Sequence, residues 1–517
     1  MNILKKYGKV LLTIALAVAA WCFWALRYPQ ALAYHEQIQL FLFDYDFFIE
    51  RLTTPAGIAR YGAEFLVQFY NNLKLGAAII AMVYVLMQIG VWRLGQRERD
   101  ESRSVWYALS FVPVLLVWFY MGDENMKFTY VVALLMAQLS MIAYPAKQSA
   151  WSKILYAAVA MPMLHWLAGP VVMMLGLYVA LKEVLDHKNY ALASGAALYS
   201  VACIIATAPW VPYPLFRLFV GINYNINLYE VAVIHYIIML AFVLVPLLIQ
   251  HLPKLEGKRA QAAGVVATVA VAAMGGFAIP TAYDTDKYEV LHYDFMVRRQ
   301  QWDKIVATAQ KKNPTTPLTV ASLNLALGMT GEMNSRAMQF YQNGREGVFP
   351  SFNMNFESSL MTAEIYYHLG LVNTAQQFDF EAMEAIPDNT KSARLLKRLA
   401  ETNLINGQYD VAGKYLKLLQ KTLFYKRWAD ETMRLLGNED AINNHPVYGQ
   451  MRRFQLEKDF LFSEQEIDKV MGQLVLQNSQ NFLAMQYLLL LPQLEGNQQK
   501  YLMYKDFVQK TLNEKKP

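Results

Sequence analysis

The feature that most constrains this chain is the uneven spread of its long apolar runs. They follow one another through residues 1–280 and stop, and 284–517 reads as ordinary charged sequence rich in Gln and Asn. A hydrocarbon core of about 30 Å takes about 20 helical residues to cross. Runs of that order occur near 9–26, 75–92, 105–121, 128–145, 190–208, 231–249 and 263–280. With 55% hydrophobic and only 17% charged residues over 517 positions, part of the chain must live in lipid. The expected fold class is all-α: a polytopic transmembrane helical bundle over 1–283, then an α-helical domain over 284–517. Both cysteines, Cys22 and Cys203, fall in apolar runs, so the second domain is held by packing and not by disulfides.

Residues 154–185 are too long for one crossing and carry a break at Gly169-Pro170. Two spans there make nine in all; one makes eight. Lys and Arg accumulate in cytoplasmic loops, and nine spans place fourteen of them inside against six outside, whereas eight spans give ten against ten. The charge pattern therefore predicts about nine spans, the N-terminus inside and the tail outside, in a bacterial cytoplasmic membrane. The net charge of +6 is absorbed by this topology and is not read as nucleic-acid binding. Ala31-Leu32-Ala33 has the small-residue pattern of a signal-peptidase site, but the preceding apolar run of 17 residues is long for a signal core of about 7–15. The first span is expected to be an uncleaved anchor.

The tail has helical periodicity broken by Gly, Asn and Pro. In "AEIYYHLGLVNTAQQFDFEAMEAIP", Ala363, Tyr366, Gly370, Ala375, Ala382 and Pro387 fall at tetratricopeptide offsets, and Ala400, Gly407, Tyr409, Ala412 and Leu416 repeat the plan at a spacing of about 37 residues. Such a domain binds or braces partners and carries no chemistry by itself.

With that topology, polar groups gather on the outer side. The first external loop, 27–73, holds His35, Glu36 and Asp46, then "TTPAGIARYGAEFLVQF", which predicts an amphipathic in-plane helix capped by Thr54, with Arg60 and Glu64 paired at i,i+4. Three further outer connections carry Asp123 and Glu124 in "GDEN", His165 and Trp166 in "LHWLAGP", and Arg217 in "WVPYPLFRLFVGINYN". Carboxylates from two loops suit a divalent cation or a base, and Arg217 suits a phosphate. Each has a plainer reading. Asp123 and Glu124 are also what a solvated loop contains, His165 and Trp166 also suit a membrane interface, and His235 suits a packed core. A carboxylate placed like Glu36, just past a span and before an aromatic run, is harder to explain by solubility. No span carries Asp, Glu, Lys or Arg in its middle, which argues against an ion- or proton-coupled transporter. No Walker loop, dinucleotide fingerprint, HExxH or Cys-His zinc pattern is present.

Glu36 in "YHEQ", Asp123 and Glu124 in "GDEN", and the helix beginning "PAGIARYGAEF" together resemble the plan of the GT-C superfamily of membrane glycosyltransferases, although the first loop lacks a clean D-x-D. Over most of its length the chain also resembles an uncharacterised family of multispanning bacterial membrane proteins with tetratricopeptide-like tails. The GT-C resemblance implies transfer of a sugar from a polyprenyl-phosphate donor to an external acceptor. Glu36 or Asp123 would be the base, Glu124 with a neighbouring carboxylate would hold a metal, and Arg217 with Arg60 would neutralise the lipid phosphate. His35, Asp46, Glu64 and His165 would line the site. The competing expectation is a membrane-anchored scaffold whose repeats gather cell-envelope proteins.

Overall fold

The computed structural model describes residues 2–96, 101–226, 233–351, 355–387, 390–457 and 466–514. Arg97 and Arg99, two of the topogenic charges, lie outside them. Among the described residues no strand forms, and one antiparallel bridge joins Met126 and Asn225. The chain divides into two compact units. The first comprises 1–36 and 43–284, the second 37–42 and 285–517.

The first unit begins with α1 (Asn2–Cys22), α2 (Pro29–Gln37, whose last residue belongs to the second unit), α3 (Tyr45–Leu52) and α4 (Gly57–Val67). It continues with α5 (Leu73–Gly95), α6 (Val112–Tyr120), α7 (Phe128–Ala143), α8 (Ala150–Ala168), α9 (Val172–Lys182) and α10 (Tyr190–Thr207), and closes with α11 (Leu215–Val220), α12 (Ile234–His251) and α13 (Gly257–Thr281). Five helices are long and apolar enough to cross a membrane: Tyr7–Arg27, Leu73–Gly95, Tyr190–Trp210, Ile234–His251 and Gly257–Thr281. The chain is accordingly a membrane protein. Ser104–Tyr120 and Phe128–Ala143 are shorter apolar helices.

The long run at 154–185 is two helices, α8 and α9, divided at Gly169, whose φ of +83° excludes ordinary side chains. A Cβ there would also lie 2.9 Å from the Tyr224 hydroxyl. The glycine thus permits both the reversal and the close approach of another loop.

In the second unit, α14 (Thr285–Arg298), α15 (Trp302–Lys311), α16 (Pro317–Met329) and α17 (Met333–Arg336) precede two helical hairpins, α18 (Phe356–Leu369) with α19 (Val372–Glu384) and α20 (Ala393–Ile405) with α21 (Tyr409–Leu419). Gly370 and Gly407 supply the positive φ at the two turns, and Ala363, Ala375, Ala382, Ala400 and Ala412 are buried where the helices meet. Then follow α22 (Lys426–Met433), α23 (Glu439–Asn443), α24 (Tyr448–Phe454), α25 (Ile467–Gln477), α26 (Phe482–Leu494) and α27 (Gln498–Glu514). The stack is not an open row. Gln486 on α26 donates to the Gly328 carbonyl at 2.9 Å and accepts from Met333 N at 3.1 Å, returning the end of the chain to α16 and α17.

An ionic cluster lies inside this unit. Glu364 accepts from Arg394 at 2.9 Å and from Arg398 at 2.8 Å, and those guanidiniums hold its carboxyl well below the usual carboxylate range despite full burial. Arg394 also donates to Asp294 at 2.9 Å and to Gln37 Oε1 at 2.8 Å, and Leu40 N donates to the Lys391 carbonyl at 3.3 Å. Residues 37–42, a piece of the first long loop, are thus built into the tail unit as one of its buried segments.

Candidate functional site

The expected amphipathic helix exists as α4, with two differences from the sequence reading. It starts at Gly57 and not at Pro55, because Thr54 accepts a turn bond from Gly57 N through its carbonyl at 3.1 Å, and Ala56 sits in the left-handed region at φ 67°. Gly57 is required by contact, since a Cβ there would fall 1.7 Å from the Arg51 carbonyl oxygen. The second is that its polar face is the buried one, which the in-plane reading leaves open. Arg60, Glu64 and Gln68 are buried while Phe65 is exposed, so the polar stripe turns inward toward α7 and α8.

What turns it inward is an ion cluster. Glu64, 2% exposed, accepts from Arg60 Nε at 2.8 Å, as the i,i+4 spacing anticipated, and from Arg51 Nε at 2.8 Å. Arg60 donates onward to Asn223 Oδ1 at 3.1 Å, and the Arg51 guanidinium lies 4.1 Å from the Phe47 ring centre. Two guanidiniums share this one buried carboxylate, and exposed Glu50 supplies a second carboxylate to Arg51 at 3.0 Å from the solvent side. Arg51 and Asn223 were not legible as partners. They are 13 and 163 residues from Glu64 and Arg60 respectively, beyond any local spacing rule.

Hydrogen bonds bring four connections of the first unit into one platform. Ala56 N donates to the Trp166 carbonyl at 3.0 Å, and Trp166 Nε1 returns a bond to the Leu52 carbonyl at 3.1 Å. Lys127 N donates to the Tyr224 carbonyl at 2.9 Å, Ile226 N to the Asn125 carbonyl at 2.7 Å, and the Tyr224 hydroxyl to the Ala168 carbonyl. Asn225 Nδ2 reaches the Tyr120 hydroxyl at 3.1 Å. The loops after α3, α6, α8 and α11 are therefore stitched to one another and are not independent turns.

The individual side chains fare differently. Asp123, half-buried, accepts from Asn125 N at 2.9 Å and from Asn125 Nδ2 at 3.1 Å, a turn that shapes its own loop; Asn125 Nδ2 also reaches Glu124 at 3.4 Å. His35 and Glu36 are buried at the end of α2, where burial lowers the His35 imidazole to about 4 and keeps it neutral at physiological pH. Asp46 is exposed in the first turn of α3. His165 is buried with Nε2 2.9 Å from the Thr207 hydroxyl, so it is a core residue and not a surface pair with Trp166. Arg217 is half-buried with its guanidinium 4.7 Å from the Tyr213 ring centre. His235 stacks on Tyr130 at 4.1 Å, which fits the packing role.

Beneath the platform, buried polar atoms of His165 (Nδ1), Asn223 (Nδ2) and His235 (both ring nitrogens) lack protein partners. Desolvated groups of this kind are where ordered water or a polar ligand is accommodated. Among the described residues no group of three or more His, Cys, Asp or Glu side chains could hold a metal ion, so Glu36, Asp123 and Glu124 do not make a protein metal cage. On the bilayer side, an apolar cavity of about 430 Å³ opens between α1, α6 and α13, lined by Leu16, Phe23, Leu115, Trp118, Gly275 and Ile279.

No curated protein and no solved structure matches the chain. One family model does, over residues 4–513. The chain belongs to that family, described as a family of unknown function, DUF6057.

Proposed function

We propose that this protein is a nine-span, N-in protein of the bacterial cytoplasmic membrane with an extracytoplasmic tetratricopeptide-like tail, and that it transfers sugar from a polyprenyl-phosphate donor at its outer face. Topological parity supports the orientation. Residues 37–42 follow the first span directly and belong to the same compact unit as 285–517. The tail then lies on the side reached by an odd number of crossings, which nine satisfies and eight does not.

The observation that carries the activity is the platform itself. Four outer connections are bonded together around Arg51, Glu64 and Arg60, and guanidiniums are the groups that receive a lipid phosphate. The apolar cavity among α1, α6 and α13 suits the prenyl chain. In the reaction, the acceptor hydroxyl attacks the sugar anomeric carbon and the bond from that carbon to the phosphate oxygen breaks. Polyprenyl phosphate leaves toward Arg60 and Arg217, and Glu36 or Asp123 takes the hydroxyl proton. Glu36→Ala and Asp123→Ala are expected to abolish a glycan product while leaving the protein in the membrane. A normal glycan profile in both variants rejects the assignment.

A second reading is favoured by the two Asn125 bonds that commit Asp123 to its own turn. Here the protein is a non-enzymatic scaffold whose repeats bind envelope proteins. Cross-linking in intact cells would then capture the same partners in wild type and in the Glu36→Ala and Asp123→Ala variants.

A further inference from the structure

At the other end of the membrane unit, where α5, α7, α9 and α12 terminate, a mainly polar cavity of about 400 Å³ is lined by Arg93, Lys147, Lys182, Asp186, His187 and Gln250. These residues come from four separate chain segments. The Lys182 ammonium is held by Asp186 at 2.9 Å and by Gln250 Oε1 at 2.6 Å, and Gln250 is anchored in turn through its Nε2 to the Leu94 carbonyl. One cation is therefore buried and oriented on the floor, and Arg93 and Lys147 stand exposed at the rim. A general excess of basic residues on one side of a membrane explains scattered surface charge. It does not explain a desolvated lysine fixed inside a cavity whose volume falls in the usual range of about 300–1,000 Å³ for small-ligand sites.

We propose that this cavity binds a phosphate ester, with the headgroup of an anionic phospholipid as its source. Among the described lining residues three cations, Arg93, Lys147 and Lys182, stand with one carboxylate, Asp186, a basic lining of the kind that receives a phosphodiester. The cavity sits at the ends of α5 and α12, two of the helices long and apolar enough to cross a bilayer, and basic pockets between such helix ends hold anionic lipids. This site is independent of the outer platform, so it stands whether or not that platform transfers sugar.

The test is native mass spectrometry of the full-length protein released from nanodiscs of phosphatidylcholine with or without phosphatidylglycerol, for wild type and Arg93→Gln/Lys147→Gln. Each cation near an anionic headgroup is worth about five-fold in affinity, so the double variant is expected to bind phosphatidylglycerol about 25-fold more weakly. Both residues are exposed, so the variant should keep the wild-type elution profile and melting temperature. Arg27→Gln, in the outer segment after α1, should keep wild-type lipid binding. A glycerol phosphate arm separates sources: binding as tight as that of the lipid, and lost in the double variant, sustains the phosphate site but makes its ligand soluble. Equal retention of phosphatidylcholine and phosphatidylglycerol overturns the proposal. So does unchanged binding in the double variant, or an equal loss in Arg27→Gln.

Discussion

Removing the Glu64 carboxylate tests the interior of the platform. Glu64 is 2% exposed and pairs with both Arg51 and Arg60, each through a 2.8 Å bond. Breaking a buried pair by deleting one partner costs about 3–5 kcal/mol, because the remaining charge stays desolvated. Here Arg51 retains Glu50 and the Phe47 ring, and Arg60 retains Asn223, so Glu64→Ala belongs at the lower end, about 3 kcal/mol. At about 2–4 °C per kcal/mol for a unit of this size, the melting temperature should fall by about 6–12 °C. The assay is thermal unfolding of detergent-solubilised protein, followed by labelling of Cys203, which is buried in α10. The Arg51→Ala/Glu64→Ala double variant should lose less than the sum of the single losses, since the second deletion removes a charge that the first had stranded. A drop under about 1 kcal/mol for Glu64→Ala, with additive losses, would mean the carboxylate is solvated and the cluster is not buried.

Three other outcomes follow from the geometry. Gly57→Ala should cost about 3 kcal/mol or more, because its Cβ would overlap the Arg51 carbonyl, and a melting curve like that of wild type would refute the tight turn. In the tail, burial lowers His368 from 6.5 to about 4, so the folded state resists its protonation. Its contribution is complete above pH 6.5 and is lost as pH falls from 6.5 toward 4, about 3 kcal/mol in all. His368→Gln should therefore lessen the loss of stability across that window, and an unchanged slope would place the imidazole in solvent. Arg394→Ala removes the donor to Gln37, Asp294 and Glu364, and limited proteolysis should then cut within 37–42 faster than in wild type.

Much of this architecture is written locally in the sequence. Apolar run lengths locate the membrane helices, Gly169-Pro170 locates the break between α8 and α9, and the i,i+4 spacing pairs Arg60 with Glu64. What local patterns cannot carry is the identity of distant partners. Arg51 reads as one more topogenic charge, and Asn223 reads as loop polarity, until folding brings both to the same carboxylate and its neighbour. The amphipathicity of α4 specifies two faces without saying which one the rest of the bundle covers, so the burial of its polar face is not written in its own sequence. The insertion of 37–42 into the tail unit was invisible for the same reason. Gln37 finds Arg394 across 357 residues, and nothing in "QIQLFL" names its destination.

The parity of the spans and the outer position of the tail meet in one measurement. Leu40 N and the Lys391 carbonyl are 3.3 Å apart, which sets their Cα atoms about 5 Å apart, within reach of a disulfide. Placing Leu40→Cys and Lys391→Cys in a Cys22→Ala/Cys203→Ala background and examining intact cells without added oxidant asks both questions together. Disulfides form spontaneously only outside the reducing cytoplasm. The account predicts a cross-linked species that disappears on reduction, and a pair that stays as free thiols in cells where the protein is folded in the membrane would contradict it.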